Sequence, residues 1–229
     1  MDKFETISLG IIALSFVVGI YIYLFYPMPD NIAGHWDINN EVNGYIPKFW
    51  GIFLMPLLGL GIYILFKIIP MIDPRKNIEK FKKQYNELIL SILAFFFYIY
   101  TLTIVWNMGF RFNMGQLLAP AFAILFYICG VVIEKAKPNW FVGIRTPWTL
   151  SSDEVWEKTH RLGGKLLKAS GIISLFGIVL TDYAFILVTV PAVLSALYLV
   201  AYSYLEYRKL GTRHTAKQKK KNSKKRRQR

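Results

Sequence analysis

The residues best suited to chemistry lie in one polar stretch, residues 137–166, which reads KPNWFVGIRTPWTLSSDEVWEKTHRLGGKL. Arg145 and Arg161 carry guanidinium groups, each able to make two parallel hydrogen bonds to a carboxylate or a phosphate. His160 follows Trp156 by one helical turn, so its imidazole can join the same site. The residue types indicate a binding site for an acidic cytosolic partner or a lipid headgroup. The alternative is a packed cap whose aromatic residues only seat it on the helices.

Catalytic patterns are missing from the sequence. There is no glycine-rich phosphate loop after a strand, no pair of histidines at i and i+4 with a glutamate, and no serine elbow. His35, Asp37 and Glu41 could in principle ligate a metal, but their spacing matches no recognised ligand set. Cys129 is the only cysteine, which excludes an intramolecular disulfide and a cysteine-based metal cluster. We therefore predict a protein that is not an enzyme and binds no metal and no cofactor.

The composition is typical of a polytopic membrane protein, since 54% of the residues are hydrophobic, 16% are aromatic and the mean hydropathy is +0.35. A soluble domain would interrupt its apolar runs with charge, whereas here several runs approach the roughly 20 residues that span a bilayer. We predict spans at 6–26, 50–72, 88–106 and 116–133, and a fifth and a sixth within 169–204, separated by a turn at Thr181-Asp182-Tyr183. A signal peptide is the alternative for the first span, but its apolar run is too long and no small-residue cleavage site follows.

Lysine and arginine alternate between the loops in a way that predicts the orientation. The loop after the first span contains only Lys48 and the loop after the third only Arg111, whereas the loops after the second and fourth spans contain five and seven basic residues. Short cytoplasmic loops carry the excess of basic residues. The predicted fold is thus an all-α bundle of six transmembrane helices in the cell (plasma) membrane, with both termini in the cytoplasm and the stretch 137–166 on the inner face.

The last residues form a basic tail. Residues 217–229 contain nine basic residues and no acid, which accounts for most of the formal net charge of +14. Because the tail has too few apolar groups to offset the entropy lost on folding, we predict that residues 207–229 are disordered and lie against anionic lipid headgroups. The same charges could contact nucleic acid or a ribosome, but neither aromatic interleaving nor a folded motif is present, so no specific nucleic-acid binding is predicted.

The outer loop, residues 28–49, has proline and asparagine turn chemistry that predicts a compact structure on the membrane. It resembles a small domain of unknown function found in bacterial and archaeal membrane proteins, through Pro29-Asp30, His35-Trp36, Glu41-Val42, Gly44-Tyr45 and Lys48. Asn40 replaces a glycine of that pattern, and because asparagine tolerates the left-handed conformation the turn is expected to persist. The candidate outer binding residues are His35, Trp36, Asp37, Glu41 and Gly44.

The polar stretch resembles the signature of the SdpI family of membrane proteins. The matching residues are Asn139, Trp140, Phe141, Gly143, Ile144, Arg145, Thr146, Pro147, Trp148, Thr149, Leu150, Trp156, Thr159, His160, Arg161 and Gly164. The resemblance implies an immunity or signal-receptor protein, because the founding member protects its host from an exported peptide toxin and, when toxin-bound, sequesters a transcriptional repressor at the membrane. The implied binding residues are Asn139, Trp140, Gly143, Arg145, Thr146, Pro147, Trp148, Trp156, His160 and Arg161. The alternative is a transporter or channel for a small or amphipathic solute, which would need a polar, water-accessible cavity between the spans.

Within that stretch, Ser151-Ser152-Asp153-Glu154 matches a capping box with Ser151 as the cap. It predicts an amphipathic helix that starts near Ser152, lies at headgroup level and leads into the fifth span, with Gly163-Gly164 stopping or bending it. The chain then divides into the first two spans with the outer loop (1–72), the basic inner loop with spans three and four (73–134), the signature loop with spans five and six (135–206), and the tail (207–229).

Overall fold

The structure is a computed structural model that describes the backbone of residues 3–227 and the side chains of residues 3–211. The chain is mostly helical, with one two-stranded sheet. The elements are α1 (Lys3–Phe25), β1 (Asn31–Trp36), β2 (Val42–Pro47), α2 (Lys48–Ile72), α3 (Lys82–Asn107), α4 (Met114–Lys135), α5 (Pro147–Ser151), α6 (Asp153–Leu175) and α7 (Ala184–Arg227), with short 3-10 turns at Ile78–Phe81, Phe176–Ile178 and Thr181–Tyr183.

Within the described part of the chain, five helices are long and apolar enough to cross a membrane. They are α1, α2, α3 together with the 3-10 turn before it, α4, and the first part of α7 with the turn that leads into it. The first four agree with the predicted spans, and the predicted break at Thr181–Tyr183 is a turn between two helices. The 23-residue α6 is not among the five, since its first half is charged. The count of six spans therefore stays a prediction.

The fourth inter-helix loop differs from its prediction. The amphipathic segment and the start of the predicted fifth span form one continuous helix, α6, which passes through Gly163-Gly164 without a break. Its N-cap is Ser152, whose hydroxyl accepts a hydrogen bond from the Val155 N–H, so the prediction of Ser151 as the cap was wrong by one residue. Ser151 instead ends the short helix α5, where its hydroxyl donates to the Pro147 carbonyl.

The outer loop is not helical or irregular but an antiparallel hairpin, which makes the all-α prediction wrong in this segment. β1 pairs with β2 in the register Asn31↔Pro47 to Trp36↔Val42, with an irregularity at His35. Asn40 has a φ of 65°, as expected for the turn residue. The hairpin is fixed to the end of α3, because the Asn107 amide accepts from the Ala33 N–H at 2.8 Å and donates to the Ala33 carbonyl at 3.0 Å.

Small residues bring α4 and α6 unusually close together. A Cβ atom on Gly164 would lie 2.6 Å from the Gly130 carbonyl oxygen, and a Cβ on Gly171 would lie 2.7 Å from the Ala123 carbonyl oxygen. Both helices repeat these contacts at a spacing of seven residues, so one side of α6 packs on α4 over two turns of contact. The close packing explains why Gly163-Gly164 continues the helix, since burial against neighbouring elements offsets the poor helix propensity of glycine.

The basic tail falls mostly beyond the described side chains. The backbone of α7 is helical to Arg227, whereas the sequence predicts disorder over 207–229. The side chains of residues 212–229 lie outside the described residues, so the predicted role of the tail at anionic headgroups stays a prediction.

The α4–α6 contact predicts the effect of adding a side chain there. Gly164→Val should lower the free energy of unfolding by about 1–3 kcal/mol, because the new atoms meet backbone that cannot move aside. Thermal unfolding of the protein in detergent measures the change. Gly61→Val is the matched control, since a Cβ at Gly61 in α2 meets nothing within 4 Å. Equal unfolding temperatures for the two variants would contradict the packing described here.

Candidate functional site

The centre of the signature loop is the buried ring pair of His160 and Trp156. The two rings stack with centroids 3.8 Å apart and planes 15° from parallel. His160 Nδ1–H donates to the Trp156 carbonyl at 2.8 Å, and Nε2 accepts from the Ile144 N–H at 3.0 Å. One donor and one acceptor require the neutral imidazole. Burial lowers the pKa of His160 to about 4, so the ring stays neutral and both of its nitrogens serve the loop.

Gly143 is the residue that lets the loop pass over this ring pair. Its φ of 125° lies in a region that side chains rarely adopt, and a Cβ there would lie 2.3 Å from His160 Nε2. On the far side of the ring pair, Trp156 Nε1–H donates to the Ala136 carbonyl at 2.9 Å, just past the end of α4. The ring pair therefore joins α4, the loop and α6.

Asn139 holds the first turn of the loop from within. Its side chain is fully buried and makes four hydrogen bonds to the backbone. Oδ1 accepts from the N–H groups of Phe141 and Val142 at 2.8 and 2.7 Å, and Nδ2 donates to the carbonyls of Lys137 and Val142 at 2.8 Å each. With every donor and acceptor of its amide in use, Asn139 has a structural role and offers nothing to a ligand.

Two threonines close the second half of the loop. Thr146 caps α5, and its hydroxyl accepts from the Thr149 N–H while the Thr149 hydroxyl accepts from the Thr146 N–H. The Thr149 hydroxyl also donates to the Ile144 carbonyl at 2.7 Å. Thr146 further bonds across to the Ser203 hydroxyl on α7 at 3.0 Å, which fastens the loop to that helix.

Asp73 and Asn77, which the sequence analysis did not select, tie the signature loop to the other basic loop. Asp73 is buried, and its carboxylate accepts from the N–H groups of Trp140 and Asn77 at 3.2 Å each. The Asn77 amide donates to the Pro138 carbonyl at 2.7 Å. The available signal was an acid directly after the apolar run of α2, in a loop whose basic residues outnumber its acids.

The structure separates the ten predicted binding residues into two groups. Asn139, Thr146, Trp156 and His160 are buried, and Gly143 lies against the ring pair. The exposed members are Trp140, Arg145, Pro147 and Arg161, and Trp148 is half-buried against the Tyr204 ring. Arg145 donates to the Trp140 carbonyl at 2.6 Å, while Arg161 pairs with Glu157 at 2.8 Å. The first group builds the loop, and only the second presents groups to a partner.

A pocket of about 490 Å³ opens beside the ring pair, between the end of α4 and the first two turns of α6. Trp156 and His160 line its inner wall, and six charged residues line it together with Ala136 and Pro138. The sequence analysis did not select the two lysines of this wall, Lys135 and Lys137. A second, apolar groove of about 510 Å³ lies between α3 and α4.

At the other end of the bundle, the predicted outer residues shape the hairpin and its turn. His35 Nδ1 bonds the Asn43 amide oxygen at 2.5 Å, and a Cβ at Gly44 would lie 2.9 Å from the His35 Cβ. The Asp37 carboxylate accepts from the N–H of Glu41 at 2.9 Å and so closes the turn. Trp36 packs edge-to-face on Trp106 with centroids 5.4 Å apart. Among the described residues, no group of three His, Cys, Asp or Glu side chains could hold a metal ion.

The neutral, buried state of His160 predicts a pH dependence of stability. The lowered pKa of about 4 against an ordinary 6.5 means that the unfolded chain takes up the proton first as the pH falls. The free energy of unfolding should not depend on the protonation of His160 above pH 6.5. It should decrease between pH 6.5 and about 4, by roughly 3 kcal/mol in all at 1.36 kcal/mol per pKa unit. Thermal unfolding in detergent from pH 7.5 to 5 measures this loss.

The His160→Gln variant is the reference for that experiment. It should be less stable than the wild type at pH 7.5, but its stability should change less as the pH falls, since it lacks the titrating ring. Parallel pH profiles for the two proteins would contradict a neutral buried His160.

Two protein families match separate parts of the chain. Residues 135–203 match the SdpI/YfhL protein family, and residues 10–60 match the Domain of unknown function (DUF1648). The chain is 28% identical over 209 residues to the immunity protein SdpI of Bacillus subtilis (strain 168), covering 91% of this chain and 98% of that protein. No solved structure matches the chain. The signature loop with its buried ring pair thus lies in the part of the chain that is similar to the SdpI/YfhL protein family, and the outer hairpin lies in the part that is similar to the domain of unknown function.

Proposed function

We propose that the protein is a membrane immunity protein that protects its host cell from an exported antimicrobial peptide and performs no catalysis. The similarity to an immunity protein over 98% of that protein's length supports the proposal. The aligned region contains both the outer hairpin and the inner loop, so the resemblance is not confined to a shared membrane helix.

We further propose six spans with both termini in the cytoplasm. The distribution of basic residues between the loops supports this orientation. The fifth span would be formed by the second half of α6 and the turn that follows it, where Ile172, Phe176 and Val179 are exposed apolar residues suited to lipid contact. The first half of α6 would lie at headgroup level. In the second half, Lys168 is paired with Glu134 at 2.7 Å, which reduces the cost of placing its charge in the membrane.

The outer hairpin is the proposed contact for the peptide. Ile38, Tyr45 and Phe110 expose more than half of their surface at this end of the bundle, although they are large and apolar. Exposed apolar groups of this kind suit an amphipathic peptide that approaches along the membrane surface. The hairpin is held by Asn107 from α3, so peptide contact there acts on a fixed surface.

On the inner face, the exposed group of Trp140, Arg145 and Arg161 is the proposed docking surface for a cytosolic transcriptional repressor. Tryptophan and arginine are the residue types that contribute most often to the binding energy of protein contacts, and all three side chains are exposed. The alternative function, a solute transporter, receives less support, because the groove between α3 and α4 is lined almost entirely by apolar side chains.

Expression in a bacterial strain that lacks immunity of its own tests the proposal. Cells that contain the protein should survive membrane-active peptides at concentrations that kill cells with the empty vector. The outer variant Ile38→Asp/Tyr45→Asp should lose this protection at an unchanged protein level, because charge replaces the apolar contact surface.

An inner-loop variant, Lys80→Gln, is the control and should protect as well as the wild type. Unchanged killing of wild-type-expressing cells across a broad peptide panel would rule out the immunity function. Protection that the outer variant retains in full would leave immunity standing but remove the hairpin as the contact.

A further inference from the structure

We propose that the pocket beside His160 binds a phosphate group, with the ammonium groups of Lys135 and Lys137 as its ligands. The proposal concerns the chemistry of the pocket alone and does not depend on whether the protein confers immunity.

The shape of the pocket suits a small charged group. Its volume of about 490 Å³ lies within the range of roughly 300–1,000 Å³ that ligand pockets occupy. The inner wall is rigid, because Trp156 and His160 are buried, stacked on each other and hydrogen-bonded to the backbone on both sides. A ligand would therefore meet a preformed wall and does not have to order it.

The charges of the pocket are unequally compensated. Three acidic side chains line it, and each is already bonded to a basic side chain. These pairs are Glu134 with Lys168 at 2.7 Å, Asp153 with Arg75 at 3.1 Å and Glu157 with Arg161 at 2.8 Å. The ammonium groups of Lys135 and Lys137, in contrast, have no hydrogen bond or ion pair among the side chains of residues 3–211. Two lysines without a paired acid thus line one cavity, which favours an anionic ligand.

The position of the two lysines favours phosphate among anions. Lys135 is the last residue of α4, a helix with the length and apolarity of a membrane span, so the pocket opens at the depth of the lipid headgroups. Trp140, three residues further along than Lys137, exposes 47% of its surface, and tryptophan is enriched at this level of the membrane. The phosphates of anionic phospholipids are the most abundant anions there. A soluble phosphate shares the same chemistry and is the second source.

His160 does not take part as a charged ligand. Its Nε2 already accepts the Ile144 N–H and its Nδ1–H is given to the Trp156 carbonyl. The phosphate is therefore held by lysine ammonium groups, and the aromatic pair supplies only the wall against which it rests.

Binding to the full-length protein in detergent micelles tests the proposal. The probes are phosphatidylglycerol, sodium phosphate and, as a lipid without phosphate, diacylglycerol, each followed through the thermal stabilisation of the protein. Phosphatidylglycerol should stabilise the protein and diacylglycerol should not. Stabilisation by sodium phosphate but not by phosphatidylglycerol would identify a soluble phosphate as the ligand and would still support the phosphate site. Stabilisation by neither phosphate-bearing probe would overturn it.

Two double variants separate a site from a diffuse charge effect. Lys135→Gln/Lys137→Gln should weaken binding by about tenfold or more, given the usual gain from each basic residue at a membrane surface. Lys80→Gln/Lys165→Gln removes the same charge from inner-face lysines that do not line the pocket, and it should bind like the wild type. Lys135→Arg/Lys137→Arg should retain most of the affinity. Equal losses in the two glutamine variants would overturn the proposed site.

Discussion

The stacked pair of His160 and Trp156 is the interaction on which the signature loop depends. A loop that packs between helices removes its backbone groups from water, and each such group must find a partner or lose free energy. The ring pair supplies two of these partners, to the Ile144 N–H and to the Ala136 carbonyl, and a third hydrogen bond joins the His160 ring to the Trp156 carbonyl within α6. It can do so only while the imidazole is neutral, because a protonated ring would place a second donor against the Ile144 N–H.

The close packing of α4 and α6 places the ring pair where it can act. Glycines at 130, 164 and 171 let the two backbones approach, which brings Trp156 within hydrogen-bonding distance of the residue just past the end of α4. Asn139, Thr146 and the buried Asp73 bond further backbone groups of the loop. The loop is thus a cap whose backbone is held by buried side chains, and the pocket lies beside it.

The sequence predicted the features that follow from composition and local pattern. The first four spans and the turn at Thr181–Tyr183 could be read from runs of apolar residues, and the left-handed Asn40 from its turn chemistry. The hairpin was missed because its short strands alternate only weakly and owe their pairing to contacts with α2 and α3, which no local pattern reveals. The N-cap was misassigned because Ser151 is the last residue of α5, a helix of five residues that the sequence did not predict. The residue types alone could not separate the signature residues that are buried in the loop from those that are exposed, because burial depends on the folded chain.

The account gives the buried members of the family signature a structural role and leaves partner binding to exposed groups. The most direct test is the imidazole ¹⁵N spectrum of His160 in the intact protein, with the signal assigned by its loss in His160→Gln. The account predicts a neutral ring protonated at Nδ1, with Nε2 unprotonated, that does not titrate until the pH approaches about 4. A ring that titrates near its ordinary pKa of 6.5, or that carries its proton on Nε2 at neutral pH, would contradict it.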